Sequence, residues 1–436
     1  MIRRVLFLSL LLLQITILDA KVEKYIFPNG LKLLHKNTNA NQIVAIEIFI
    51  DAGSVDEYIE DKNKLGIRNF IQSTIAKGTR KYSAEQINEL IESIGGKLFT
   101  DTGEDYMEIC VIVTKPYFEI GIDLIYEIYQ NPTFLYKEVE KEREVILASI
   151  SARKEDLFTT TYDMFNKLLY CNHPYAFPVT GTTETVKNIT RQDLIKFHKK
   201  YFIPQNTIVV VVGNVDFDLV KHYVGRSFGK ISAKKEYKVV SATSQQVVHG
   251  GCAENLEKEY KEKFNQAYIM VGYTAPEVSS PDYPKVKILN AMLSGGMSSR
   301  LFAVMREKKA YAYEVSSFYP TRKYKSRFVI YMGLDERFVD EAKENILKEV
   351  EKLKNSIPDE EEIVRVKHYT RGTYIMSHVT NKQQAWYLGW WELMGRGYEY
   401  DTTYIDEILS IGREELKTVA ERLFLKPVVV KILPEK

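Results

Sequence analysis

The chain has 436 residues, 45% of them hydrophobic and 27% charged, with 60 Lys and Arg against 58 Asp and Glu. Those values exclude a disordered or fibrous chain, and a net charge of +2 with no basic run interleaved with aromatics argues against a nucleic-acid partner. The length exceeds one ordinary core and predicts about two to three units.

At the N-terminus, Arg3 and Arg4 precede the apolar run Val5 to Leu13, which weakens through Leu18, and Ala20 offers a small residue before Lys21. This pattern predicts a secretory signal peptide over residues 1–20, an uncleaved membrane anchor being the alternative. The mature protein is then expected across a membrane, in the periplasm if the source is bacterial. Three cysteines, Cys110, Cys171 and Cys252, allow at most one internal disulfide. Cys110 stands in Met107-Glu-Ile-Cys-Val-Ile-Val113 and reads as a small buried hydrophobe, and no Cys-x-x-Cys pair suggests a zinc knuckle.

Val44 to Ile50 reads as a buried strand. A helix over Ser83 to Ile94 follows, with Ser83 and Gln86 as a capping box and Gly95-Gly96 as its stop. Tyr106 to Val113 is a second strand, followed by a helix over Tyr117–Tyr129 and a charged helix from about Lys137. Ile189 to Phe202 is helical and Thr207 to Val212 is again a strand. The polar, charged segment 229–263 reads as a linker.

Beyond it the pattern repeats. The strand at Val44 has its counterpart in Ala267 to Tyr273, and the strand, helix and charged helix from Tyr106 in Arg327 to Gly333, Phe338 to Lys354 and the segment opening at Pro358. Ile189-Thr-Arg-Gln-Asp-Leu mirrors Ile411-Gly-Arg-Glu-Glu-Leu, with strands after both, at an offset of about 222 residues. Two homologous units, 21–228 and 264–436, are predicted. Each is an α+β unit with a mixed or antiparallel sheet and helices packed on one face.

One segment carries most of the functional information. Gly66-Ile-Arg-Asn69-Phe-Ile-Gln72-Ser73, running on to Gly78-Thr79, resembles the Gly-x-x-His-x-x-Glu-His-x-x-x-x-Gly-Thr segment of the insulinase/pitrilysin zinc peptidases. Smaller matches stand in family order: Phe27-Pro-Asn-Gly-Leu-Lys, Ile94-Gly-Gly with Thr100 and Thr102, His173-Pro-Tyr to Gly181, and Gly296-Met-Ser-Ser-Arg-Leu-Phe302 leading to Tyr313. The resemblance covers 21–436 and is strongest to the smaller, processing-peptidase-like members. It implies a bilobal half of a clam shell.

Zinc hydrolysis needs about three ligands with lone pairs to give, and a base for the metal-bound water. The resemblance maps the family ligands onto Asn69, Ser73 and Ser149, the last seven residues after Glu142, and the base onto Gln72. Gln72 keeps the shape of a glutamate but cannot take a proton, so these four positions are vacant of their chemistry. No His-x-x-Glu-His or its inverse occurs among the seven histidines. Glu142 survives, with helix polarity or an ion pair as its expected role. In the family, an arginine and a tyrosine of the second half reach the zinc site of the other half or subunit, binding substrate and stabilising the oxyanion. Arg306 and Tyr313 match that pair, although Ala310 and Tyr311 stand where glycine and leucine are usual and predict a stiffer loop.

The remaining candidates read as structure. His173 before proline suits a turn, the Trp386, Trp390 and Trp391 cluster suits packing, and Gly225-Arg-Ser227-Phe-Gly229 follows a helix rather than the strand a nucleophile elbow needs. The expectation is a non-catalytic, substrate-binding subunit of a secreted heterodimeric zinc metallopeptidase. It has no metal of its own, and its homologous partner bears His-x-x-Glu-His and zinc. The rival is a structural or peptide-binding homolog with no part in proteolysis.

Overall fold

The computed structural model describes residues 21–234 and 256–435, without the side chains of Ile59, Ala312 and Tyr313. The expected signal segment, most of the expected linker and Cys252 lie outside the described residues. No helix among the described residues is long and apolar enough to cross a membrane.

The first unit is built on six strands: β1 (Val22–Ile26), β2 (Lys32–Asn37), β3 (Ile43–Ile50), β4 (Lys97–Thr102), β5 (Met107–Thr114) and β6 (Thr207–Gly213). The second has five: β7 (Leu256–Glu262), β8 (Ala267–Ala275), β9 (Ala312–Phe318), β10 (Ser326–Leu334) and β11 (Val428–Pro434). Their orders are β1-β2-β6-β3-β5-β4 and β7-β11-β8-β10-β9, so the repeat extends to sheet topology, with β1 as an addition. β2 with β6 and β7 with β11 are the parallel pairs, and the other pairings are antiparallel. The molecule is thus α+β in two homologous units, as the repeat predicts. The second sheet opens at Leu256, inside the stretch read as linker: charged, largely exposed Leu-Glu-Lys-Glu-Tyr-Lys-Glu is an edge strand with no apolar run to announce it.

Helices of the first unit are α1 (Glu57–Glu60), α2 (Ile67–Thr74), α3 (Ala84–Ser93), α4 (Phe118–Gln130), α5 (Tyr136–Arg153), α6 (Leu157–Tyr170), α7 (Thr183–Asn188), α8 (Arg191–Tyr201) and α9 (Phe217–Arg226). Those of the second are α10 (Tyr283–Ser294), α11 (Val339–Asn355), α12 (Glu360–Met376), α13 (Asn381–Leu393), α14 (Tyr400–Ser410) and α15 (Arg413–Leu423), with a π-helical turn at Phe302–Lys308. The predicted capping box forms: Ser83 Oγ accepts from Gln86 N while the Gln86 side chain accepts from Ser83 N.

Alternation along the strands sends Val44, Ile46, Ile48 and Ile50 into a core with the unit's own helices. Ala45 and Phe49 face the other way, into the core that contains α13. That opposite face is covered by exchange: α13 packs on β3 and β6 of the first sheet, and α6 packs on β8 and β11 of the second. Two buried faces explain why these central strands read as continuous apolar runs rather than alternating ones.

The two joints are close-fitting with the large partner reversed. A Cβ on Gly389 of α13 would lie 2.4 Å from the Phe49 ring, and a Cβ on Gly272 of β8 would lie 2.4 Å from the Phe165 ring of α6. In one joint the strand supplies the aromatic and the helix the glycine, and in the other the roles change places. Trp391 is buried on α13, and Trp386 Nε1 donates to Glu108 Oε2 at 2.8 Å, so the tryptophan cluster serves the contact between units.

Candidate functional site

The segment matched to the zinc motif forms α2, lying on edge strand β4 and against α5 and α8. Gly66 opens it with φ +90°, and a side chain there would strike Thr180 O at 2.6 Å, which is why the frame requires glycine. The helix N-terminus is held by a residue the sequence did not announce. Glu57 accepts from Gly66 N at 2.6 Å and from Arg68 N at 2.8 Å. Burial pushes the Glu57 carboxyl up to about 7, against the opposing pull of Arg68 and of these two bonds. Arg68 is wholly buried, its guanidinium over the rings of Phe197 and Tyr201 and 3.3 Å from Glu60 Oε1.

The four positions mapped onto the zinc chemistry do not form a ligand set. Asn69 is half-buried, and Ser73 Oγ donates to Asn69 O at 3.0 Å, back into its own helix. Ser149, on α5, is exposed. Gln72 is 3% exposed, and neither its amide oxygen nor its nitrogen has a hydrogen-bond partner. An amide and two hydroxyls do not fit zinc, and Gln72 has no proton-accepting group, so no step through a metal follows from these residues. Among the described residues, no three of His, Cys, Asp and Glu gather where they could hold a metal. Thr100 Oγ1 donates to Gln72 O at 3.0 Å and Thr102 Oγ1 to Arg68 O at 3.4 Å, tying the helix to β4. Glu142 is buried on α5 and pairs with Lys77 Nζ at 3.0 Å, the ion pair expected of it.

Arg306 and Tyr313 belong to the second unit. Arg306 is exposed on the π-helical turn, its guanidinium 5.0 Å from the Phe302 ring centroid, and Tyr313 lies on β9, against which that turn packs. Between them Ala310 adopts φ +52°, the left-handed conformation that glycine takes freely, so the departure from the family's glycine introduces strain.

His173 is buried as a turn residue, its Nδ1 accepting from Tyr175 N at 3.0 Å, and burial lowers its pKa to about 4. Ser227 follows α9, with its hydroxyl donating to Tyr223 O at 2.8 Å, as a helix end does. The groove of about 880 Å³ running by Gln130 to Leu135 is lined by none of the predicted site residues. What the sequence reading missed is an ionic group between the units, the half-buried Glu104 and Arg322 with the buried Arg327. Its signal was present: Arg327 interrupts the otherwise apolar strand Ser-Arg-Phe-Val-Ile-Tyr-Met-Gly-Leu.

Comparison with known proteins agrees with this anatomy. Residues 32–183 match the model of the insulinase family of peptidases, M16, and residues 188–369 that of the peptidase M16 inactive domain. An uncharacterized zinc protease of Bacillus subtilis is 25% identical over 412 residues, 94% of this chain and 98% of its own length. Another, from Mycobacterium leprae, is 30% identical over 299 residues, 69% of this chain and 66% of its own. Among solved structures, a protease from Helicobacter pylori superposes with a TM-score of 0.87 at 20% identity, covering 95% of this chain and all of that one. A peptidase M16 inactive domain from Pseudomonas fluorescens superposes with a TM-score of 0.83, also at 20% identity, covering 95% and 98%. Matched in both units and sharing this fold over 95% of its length, the chain belongs to the M16 insulinase family.

Proposed function

We propose that this chain is the non-catalytic, substrate-binding subunit of a secreted heterodimeric zinc metallopeptidase. The partner subunit carries His-x-x-Glu-His and the zinc, and this chain supplies Arg306 and Tyr313 to the partner's site together with part of the peptide-holding wall. Residues 1–20 direct export and are removed, to the periplasm in a bacterium.

The observation that carries the reading is the contrast between α2 and α5, where all four chemical positions are replaced (three on α2 and Ser149 on α5), and the π-helical turn, where Arg306 is kept exposed. π-helical segments are rare and frequently lie at functional sites. An arginine offers a permanent planar cation, suited to charge that develops on a scissile carbonyl.

The test mixes the purified chain with its zinc-bearing homolog and follows cleavage of an unfolded peptide. Cleavage is expected to need both chains, and Arg306→Ala should lower kcat by about 100-fold, the effect typical of losing one oxyanion donor, with assembly unchanged by sedimentation. Full activity of the homolog alone would overturn the proposal in favour of a structural role.

A further inference from the structure

A cavity of about 470 Å³ lies between the units, bounded by Gly103 and Glu104 and by α6 of the first, and by Arg322 and Arg327 of the second. It adjoins the degenerate zinc site: Thr102, bonded to the α2 backbone, immediately precedes Gly103, and Arg153 in the cavity wall is one helical turn beyond Ser149 on α5.

The cavity's charges do not balance. The Glu104 carboxylate receives Arg327 Nη2 at 2.7 Å and is also paired with Arg322, so two guanidiniums share one carboxylate. The third cation, Arg153, has Asp163 to itself at 2.8 Å. Nearby carboxyls are engaged elsewhere, Asp105 by the Tyr175 hydroxyl and Asp51 by Lys323.

Arg327, with 2% of its side chain exposed, donates from Nε to the Tyr162 hydroxyl, while its Nη1 has no acceptor. Arg322 donates from Nη1 to Thr321 O, and its Nε likewise has no acceptor. Burial and the neighbouring Arg327 act together to disfavour the charged form of Arg322. Arginine nevertheless stays protonated, so two guanidiniums on one carboxylate, Arg327 buried and Arg322 half-buried, leave an excess of positive charge that calls for an anion.

We propose that this cavity binds a carboxylate carried by a peptide, received by the guanidiniums of Arg322 and Arg327, with Phe158 and Phe177 of the same wall flanking the chain that bears it. The planar fork of arginine matches a carboxylate in shape as well as charge. The carboxylate is a chain terminus or an acidic side chain, which present the same two oxygens. This inference rests on the peptide-binding part of the function proposed above.

The test uses the full mature chain without any partner and three fluorescent peptides of one unfolded sequence. One ends in a free carboxylate and contains no Asp or Glu, one is its C-terminal amide, and one is the amide with a single internal glutamate. By fluorescence anisotropy, the plain amide is expected to bind at least about tenfold more weakly than one of the carboxylate-bearing peptides, and which of these binds identifies the source. Arg322→Gln should abolish that preference, and Arg153→Gln, which leaves the shared carboxylate alone, should reduce it less. If Arg322→Gln does not fold by circular dichroism, the three peptides on the wild-type chain decide the matter. Equal binding of all three, no binding at millimolar peptide, or a folded Arg322→Gln that keeps the preference would overturn the proposal. Stimulation of a zinc-bearing partner without carboxylate preference would overturn this inference and leave the proposed function standing, while preference without stimulation would do the reverse.

Discussion

Each unit lays one helix against its edge strand, α2 on β4 and α10 on β9, and the two contacts are finished differently. On the second, the polar groups interlock: Ser317 Oγ donates to Asn290 Oδ1 at 2.9 Å, and Ser294 Oγ donates to Ser317 O at 3.0 Å. On the first, the hydroxyls of β4 reach only the helix backbone, and the buried Gln72 amide has no partner. The helix starts differ as well. α10 has Pro284 in its first turn and no side-chain cap, whereas α2 opens on the buried carboxyl of Glu57. The second contact is closed like any core, while the first retains polar groups in a shape that packing alone does not require.

The largest expected consequence is a dependence of stability on pH at the first contact, between pH 4.5 and 7. The folded pKa of Glu57 is raised from 4.5 to about 7, so its contribution is fully present below the unfolded value and is lost as pH rises from 4.5 to 7. The difference in unfolding free energy between wild type and Glu57→Gln should therefore change by roughly 3 kcal/mol across that interval, measured by urea denaturation at fixed ionic strength. A difference that does not change with pH would show that the carboxyl is not held in this way.

The second test sets the two helix contacts against each other. Ser317→Ala should cost about 1–3 kcal/mol by leaving Asn290 unmatched, whereas Gln72→Leu should raise stability by about 1 kcal/mol by removing a buried amide that bonds to nothing. Opposite signs sharpen the contrast, and equal losses would break it. The smallest effect is expected at the loop between Arg306 and Tyr313. Ala310→Gly should gain up to about 1 kcal/mol by relieving the left-handed alanine, visible as a small rise in Tm.

Much of this was legible because burial leaves a periodic trace. Central strands covered on both faces, such as Val44–Ile50 and Thr207–Val212, announce themselves as apolar runs, and their recurrence exposed the repeat. Edge strands carry no such trace: β4 alternates exposed and half-buried residues and β7 is mostly charged, so neither was read. Asn69, Gln72, Ser73 and Ser149 were placed by a motif frame that survives its own chemistry. Glu57, Glu104 and Arg322 were missed because their partners are distant along the chain or are backbone groups, and nothing in local spacing names a partner. The exchange of α6 and α13 was hidden for the same reason, since an amphipathic pattern says that a helix has an apolar face but not which sheet receives it.

That exchange has a consequence for how the chain is made. As the polypeptide emerges from its N-terminus, the first sheet is complete once Gly213 is available, yet the helix that covers its Phe49 face ends only at Leu393. A nascent first half therefore carries a bare apolar surface through the synthesis of roughly 180 further residues, at about 5–20 residues per second. A fragment ending before Asn381 is left with that surface permanently open. It should aggregate, or require a chaperone that masks the sheet until the second half arrives.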